Sequence, residues 1–269
     1  MEDKTQNKKI LVFTGGTINL VWAKEWLAIN QFDYVIAADK GLQYADELNC
    51  KVDYILGDFD SVDKDLLEKY KSRNVELITF PCEKDYTDTH LAIETAIEKG
   101  ASQITILGAI GSRIDHTMSN IQTLKIALNL DIPCYIMNES NKIYLANKVV
   151  VIKKSEQFGT YISLIPFSTS VTGLTLSGFH YPLKKYIMNQ GLSVGISNEI
   201  VEEKGTIEFE EGILIIFETK DWLVPIIHVY TWYLQRIIIQ SIIDSFLILI
   251  INHGGLEDNE QSDARASKK

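Results

Sequence analysis

Cysteine is scarce in this chain of 269 residues: there are three, Cys50, Cys82 and Cys134, far apart and with no CxxC pair. A scattered, odd-numbered set excludes a disulfide framework and a thiolate zinc site, and it fits a reducing, cytoplasmic setting. Positive charge is also thin. With 26 Lys and Arg against 36 Asp and Glu, the formal net charge is −10, and the clustered basic residues that a nucleic acid requires are lacking, so no nucleic-acid partner is expected. No apolar stretch backs a basic start in the polar segment Met1 to Lys9; the run Ile10 to Phe13 is short and gives way to glycines, so no secretory signal is expected. Nor is there a run fit to span a bilayer. The greasiest stretch, Ile237 to Ile251, is interrupted by Gln240, Ser241, Asp244 and Ser245, and it falls short of the roughly 20 apolar residues a spanning helix needs.

What remains is ordinary globular material, 46% hydrophobic and 23% charged, enough for one large domain or two modest ones. Short apolar runs punctuate the first half: Ile10 to Phe13, Tyr34 to Ala37, Tyr54 to Leu56, Leu77 to Phe80, Ile104 to Leu107 and Cys134 to Met137. Helical stretches fit between them at Leu20 to Ile29, Leu42 to Leu48, Asp63 to Lys71, Thr87 to Lys99 and Asp115 to Leu128, the third capped after Ser61, the fourth after Asp85 and closed by Gly100. Continuous strands alternating with helices predict an α/β domain built on a mostly parallel sheet covered on both faces. Around Glu139 to Asn141 the pattern changes to β-branched runs divided by Gly, Ser and Thr, at Val149 to Ile152, Tyr161 to Ile165, Val171 to Leu176, Thr206 to Phe209 and Ile213 to Phe217. That spacing predicts a smaller antiparallel β-sandwich.

Five polar clusters fall at or just after predicted strand ends, the edge at which open α/β sheets bind ligands. Thr14-Gly15-Gly16-Thr17 exposes amides able to hold an anion, although paired glycines in such a turn also serve steric ends alone. Asp39, after the second strand, suits a ribose hydroxyl or metal-bound water, or equally a solvated surface pair with Lys40. In Gly57-Asp58-Phe59-Asp60-Ser61, carboxylates two residues apart in an extended segment project to one side. They suit Mg²⁺, which takes one or two protein carboxylates with substrate oxygens and water; a plain capping turn fits as well. Asp85 and Asp88 share the first turn of the fourth helix, with Lys84 beside them able to reach a phosphate. Finally, Gly108, Gly111, Arg113, Asp115 and His116, with Asn120 one turn on, combine glycines, a bidentate cation and helix-opening polar groups in one phosphate-handling turn.

These motifs resemble a known family. Gly57-Asp-Phe-Asp-Ser61, Lys84-Asp-Tyr-Thr-Asp88 with Ala92, and Gly108-x-x-Gly111-x-Arg113-x-Asp115-His116-x-x-x-Asn120 are similar, in order and spacing, to the motifs of thiamine pyrophosphokinases. Ser163 to Pro166, Val171 to Leu174, Tyr181 to Leu183 and Gly195 to Glu199 look like that family's thiamine-binding β domain. The resemblance implies an enzyme with a catalytic ATP- and Mg²⁺-binding domain over residues 1–139 and a thiamine-binding domain over 140–221. Its reaction would move a pyrophosphoryl group from ATP to the hydroxyethyl oxygen of thiamine, releasing AMP. It implies Mg²⁺ on a set drawn from Asp58, Asp60, Asp85 and Asp88; phosphates gripped by Arg113, with Lys84 second; and Gly15, Asp39, Gly111, His116 and Asn120 around the nucleotide. Asp115 orients either Arg113 or the nucleophile. By the same resemblance Ser197 and Asn198 contact thiamine, and a homodimer places the β domain of one subunit across from the α/β domain of another. The rivals are a Mg²⁺-dependent pyrophosphokinase or nucleotide hydrolase with another acceptor, and a non-enzymatic thiamine or nucleotide binder.

Residues 222–269 lie outside the resemblance. On a helix the polar positions Arg236, Gln240 and Asp244, with Ser241 and Ser245, form one narrow stripe. Three readings fit this segment: a helix packed on its own protein or a partner, an interfacial membrane contact, or a non-native extension. Its last dozen residues have the composition of a disordered tail.

Overall fold

Each apolar run of the first half forms a strand in the computed structural model, which describes residues 7–60, 62–73, 75–79 and 86–221. β1 (Lys8–Phe13), β2 (Tyr34–Ala38), β3 (Tyr54–Gly57), β4 (Glu76–Thr79), β5 (Ala101–Leu107) and β6 (Cys134–Met137) pair in parallel, in the order β4-β3-β2-β1-β5-β6. Successive residues of these strands feed opposite cores, which is why the runs are continuous rather than alternating. Ile10, Val12, Ile36, Leu56, Ile104 and Ile106 pack with residues of α4 (Asp88–Glu98) and α5 (Ile114–Leu128). Leu11, Phe13, Ala37, Ile55 and Leu107 pack instead with α1 (Leu20–Ile29), α2 (Gly41–Glu47) and α3 (Lys64–Ser72).

The helix caps differ in detail from those expected. Asp63 caps α3, its Oδ1 accepting from the backbone N–H groups of Asp65 at 2.9 Å and Leu66 at 3.1 Å. Thr87 caps α4, its hydroxyl accepting from His90 N–H at 3.3 Å. In each case the oxygen adjacent to the first helical residue takes the role, because only it can reach the orphan donors of the first turn. Ser61 and Asp85 lie outside the described residues. Gly100 closes α4 as expected, with φ 85° and its N–H on Ile97 O at 3.0 Å.

The change of pattern near residue 140 is a tight turn inside the sheet. Asn138 Oδ1 accepts from the backbone N–H groups of Ser140 at 3.0 Å and Asn141 at 2.8 Å, and the chain reverses into β7 (Asn141–Ala146), antiparallel to β6. Antiparallel β13 (Leu214–Thr219) and β9 (Tyr161–Pro166) follow, giving among the described residues one nine-stranded sheet, β4-β3-β2-β1-β5-β6-β7-β13-β9. A second, antiparallel sheet, β11-β10-β12-β8, holds β8 (Val150–Lys153), β10 (Ser170–Ser177), β11 (Leu183–Asn189) and β12 (Lys204–Glu208). The expected sandwich is therefore present, but one of its two layers is the end of the large sheet. Along β13, Ile215 joins the core over α5 while Leu214 and Ile216 join the core between the sheets. Two strands, β7 and β11, were not expected: β7 begins where a boundary was read, and β11 is diluted by Lys184 and Lys185.

Among the described residues no helix is long and apolar enough to cross a membrane. The expectations for residues 222–269 lie outside the described residues.

An ion pair with a buried carboxylate joins two neighbouring strands of the large sheet's antiparallel extension. Glu218 on β13 is 1% exposed, with Lys142 Nζ of β7 at 2.8 Å from Oε1 and the Phe158 N–H at 2.8 Å from Oε2. The Lys142 ammonium also lies over the rings of Tyr135 and Tyr144, 5.1 and 5.4 Å from their centroids. Burial, reinforced by the Glu218 carboxylate, pushes the Tyr144 phenol well above its ordinary pKa. Removing one partner strands the other, so Glu218→Ala is expected to lower unfolding free energy by about 3 kcal/mol in urea titrations, and Glu218→Gln by less, since an amide oxygen still accepts from Phe158.

Candidate active site

The strand order reverses between β1 and β5. After β1 the chain moves outward through β2, β3 and β4, then returns to the other side of β1. The turns leaving β1 and β5 therefore part in opposite directions and open a crevice at their C-terminal ends, the usual ligand position in such sheets. A cavity of about 460 Å³ occupies it.

Its floor is backbone. Thr14 N–H donates to Leu107 O at 2.9 Å, Gly16 N–H to Gly108 O at 2.7 Å and Thr17 N–H to Ile110 O at 2.8 Å, lacing the turn after β1 to the turn after β5. A Cβ on Gly16 would lie 2.2 Å from Gly108 O, and one on Gly108 would lie 2.3 Å from Thr14 O. The Gly16 and Thr17 amides, candidates for anion binding from sequence, are thus donated to the protein itself. Gly15, exposed, and Gly111 line the cavity.

The acidic wall comes from two strand ends and a helix start. Asp39 follows β2 in the left-handed region, φ 47°, its N–H on Leu56 O at 2.8 Å. Asp58 follows β3, and its Oδ1 accepts from Asp60 N–H at 3.1 Å. Asp88 opens α4. All three line the cavity. Asp60 is exposed and is absent from that lining, because Phe59 is left-handed, φ 62°, and its ring turns into the core beneath α3. The segment is a turn, not an extended strand, so the two-residue alternation does not operate there. Lys84 and Asp85 lie outside the described residues. Among the described residues no three His, Cys, Asp or Glu side chains cluster as a metal-holding group.

The opposite wall is the start of α5. Arg113 and Asp115 form a two-pronged pair, Nη2 to Oδ2 at 2.6 Å and Nε to Oδ1 at 3.3 Å, with side chains 69% and 65% exposed. Asp115 thus holds the guanidinium, one of the two roles left open from sequence. The Arg113 hydrogen bond holds the Asp115 carboxyl below the usual carboxylate range, and Asp115 raises Arg113 in return. The folded-state value being depressed, this pair is intact through neutral pH and is lost only as pH falls below the ordinary carboxylate range. His116 lines the cavity and is exposed. Asn120, 7% exposed, also lines it and donates from Nδ2 to Ala109 O at 2.8 Å.

Thr117 escaped sequence reasoning. Its hydroxyl accepts from Gly111 N–H at 3.3 Å and donates to Arg113 O at 3.3 Å, so Thr117 and Asn120, one turn apart, hold the whole Gly108–Arg113 turn against α5. Their spacing on one helix face after the glycine turn was the available signal.

Ser197 and Asn198 are not brought to this cavity within one chain. Ser197, φ 54°, is exposed, and its N–H donates to Ser163 Oγ at 2.9 Å. Asn198 is 4% exposed and bonds both the N–H and C=O of Tyr181, at 3.0 and 2.8 Å. With Tyr181, Leu183 and Val194 it lines a separate hollow of about 220 Å³.

The lacing of the two glycine turns makes a sharp test. Gly16→Ala is expected to cost about 1–3 kcal/mol of stability by chemical denaturation, the usual penalty for overpacking against backbone that cannot yield. At Gly111 an added Cβ meets nothing nearer than Gly16 Cα at 3.4 Å, so Gly111→Ala is expected to stay within about 0.5 kcal/mol of the parent.

Comparison with known proteins accords with this geometry. The family model described as the thiamin pyrophosphokinase catalytic domain matches residues 26–136, and that described as the vitamin B1 binding domain matches residues 148–214. A thiamine pyrophosphokinase of Bacillus subtilis is 35% identical over 165 residues, spanning 61% of this chain and 77% of the relative. The crystal structure of thiamine pyrophosphokinase from B. subtilis superposes with a TM-score of 0.71 at 32% identity, covering 80% of this chain and all of that one. A second, from Geobacillus thermodenitrificans, gives 0.69 at 28% identity over 80% of this chain and 98% of its own. The chain belongs to the thiamine pyrophosphokinase family.

Proposed function

We propose that this protein is a thiamine diphosphokinase, transferring the pyrophosphoryl group of ATP to the hydroxyl of thiamine to give thiamine diphosphate and AMP. The observation that carries this reading is the convergence, at the switch point of a chain of this family, of carboxylates on one wall and a clamped arginine on the other. Such chemistry asks the protein for in-line positioning and charge neutralisation rather than covalent help. The thiamine oxygen forms a bond to the β-phosphorus as the bond from that phosphorus to the α–β bridging oxygen breaks; the bridging oxygen leaves with AMP, and the hydroxyl proton is released.

Arg113 grips triphosphate oxygens through its planar fork, and Asp115 keeps that fork in place. The donor set fits Mg²⁺: Asp58 and Asp88, both lining the cavity, supply the hard oxygens that this ion takes, and one or two suffice alongside phosphate and water. We assign the ion to a set drawn from Asp58, Asp60, Asp85 and Asp88, with Asp58 and Asp88 at the cavity wall. When bound, Mg²⁺ neutralises charge on the triphosphate and so reconciles an acidic site with an anionic substrate. Gly15, Asp39, Gly111, His116 and Asn120 shape the nucleotide's side of the site, and Lys84 is a second phosphate ligand.

The same reading divides the chain into a catalytic part, 1–139, a thiamine-binding part, 140–221, and a segment apart from both, 222–269. The bounds of the two family models support the first two. Ser197 and Asn198 recognise thiamine. Their separation from the cavity within one chain favours a homodimer in which a second copy supplies them, and the reducing setting inferred from cysteine usage favours the cytoplasm.

The deciding experiment is an assay of AMP release with and without thiamine. Release that requires thiamine is expected; release without it would point to a nucleotide hydrolase or another acceptor, and none under either condition to a binding protein. Asp58→Asn is expected to lower turnover by about two or more powers of ten at saturating Mg²⁺ with the fold retained by circular dichroism. Near-parental turnover would remove Asp58 from the metal set. Arg113→Lys keeps the charge and loses the fork, so it should impair ATP use more than thiamine use; unchanged kinetics toward ATP would reject that role.

A further inference from the structure

A nucleobase needs a flat apolar surface, and this cavity has little of one. Among the described residues its lining is glycine, two alanine methyls and polar or charged groups, and Tyr86 alone contributes a phenyl, phenol or indole ring. Tyr86 directly precedes the Thr87 cap in sequence, and it is 54% exposed. Its ring lies on that of His90, with centroids 4.3 Å apart and planes 30° from parallel. His90 is itself held: its N–H donates to the Thr87 hydroxyl at 3.3 Å, and its Nε2 is 3.3 Å from Glu94 Oε1, one turn further along α4. The cap holds the His90 backbone and Glu94 the imidazole, and the imidazole backs the phenol on one face. Tyr86 lines the cavity and remains more than half exposed, on a ring already backed by His90.

We infer that Tyr86, backed by His90, is the stacking platform for the base of the nucleoside triphosphate. The inference rests on the ATP-dependent reading above: with the phosphates assigned to Arg113 and the metal, and the vitamin rings to Ser197 and Asn198, the nucleobase is the planar group without a partner. Rings of this kind prefer offset stacking, and a side chain fixed before binding loses little freedom on doing so. A π-face reads no base edge, so Tyr86 confers affinity for a purine without choosing between purines.

The test compares ATP with inorganic tripolyphosphate, which offers the same class of phosphate contacts and no base, by calorimetry in the presence of Mg²⁺. Tyr86→Ala is expected to weaken ATP binding about tenfold while tripolyphosphate binding is unchanged, and Tyr86→Phe to restore ATP binding. In steady-state assays Tyr86→Ala should raise KM for ATP with KM for thiamine unmoved. The inference is overturned if ATP binding is unchanged in Tyr86→Ala, if both ligands weaken equally, if Tyr86→Phe fails to rescue, or if the loss falls on thiamine instead. A parental protein that binds ATP no better than tripolyphosphate overturns it as well. Failure of the thiamine reading shows separately, as AMP release that does not depend on thiamine while the ATP–tripolyphosphate difference persists.

Discussion

The backbone contact between the turns after β1 and β5 is the constraint on which the site depends. Reversal of strand order opens a crevice there, and the Gly16 N–H on Gly108 O, with no room for a Cβ on either residue, brings its floor together. Asp39, Asp58 and Asp88 then reach one cavity from three separate elements because β2, β3 and α4 end or begin at the same sheet edge. The glycines that look from sequence like an anion cradle serve first as a joint between two turns. Under the proposed function, phosphate recognition falls to side chains as a result.

Those side chains are arranged by charge. A wall of carboxylates repels a triphosphate unless a cation intervenes, and the wall opposite presents Arg113 already paired with Asp115. An exposed pair of this kind contributes little to folding stability, since water screens it and two long side chains are immobilised. Its value is geometric: the guanidinium is held in a defined plane. Thr117 and Asn120 extend the same logic to backbone, fixing the turn that carries Arg113 from inside α5.

The second half of the chain is joined to the first by more than proximity. β7, β13 and β9 prolong the catalytic sheet, and the buried Lys142–Glu218 pair sits in that prolongation with Phe158 and the tyrosines of β6 and β7 around it. A buried carboxylate is tolerable there because each of its oxygens has a partner. The loop bearing Ser197 and Asn198 is held as firmly, by Ile162, Ser163 and Tyr181, yet it stands away from the cavity of its own chain.

The sequence by itself determined the strands and helices of the first half, since runs buried on both faces and competent caps are local signals. Ile10–Phe13 and Leu20–Ile29 read correctly for that reason, and the turns at Thr14–Thr17 and Gly108–Arg113 stand where the strand ends β1 and β5 put them. It also determined family, through three ordered motifs. Tertiary structure alone decided the rest. That Asp58 faces the cavity while Asp60 does not depends on one left-handed residue, Phe59, which strand periodicity cannot express. That Asn138 makes a tight turn within one sheet depends on which strand β7 finds as partner. The work of Thr117 and the backing of Tyr86 by His90 are contacts across a turn and along a helix, settled only once α4 and α5 are packed, because a side chain's partner is fixed by distance in space and not by its place in the chain.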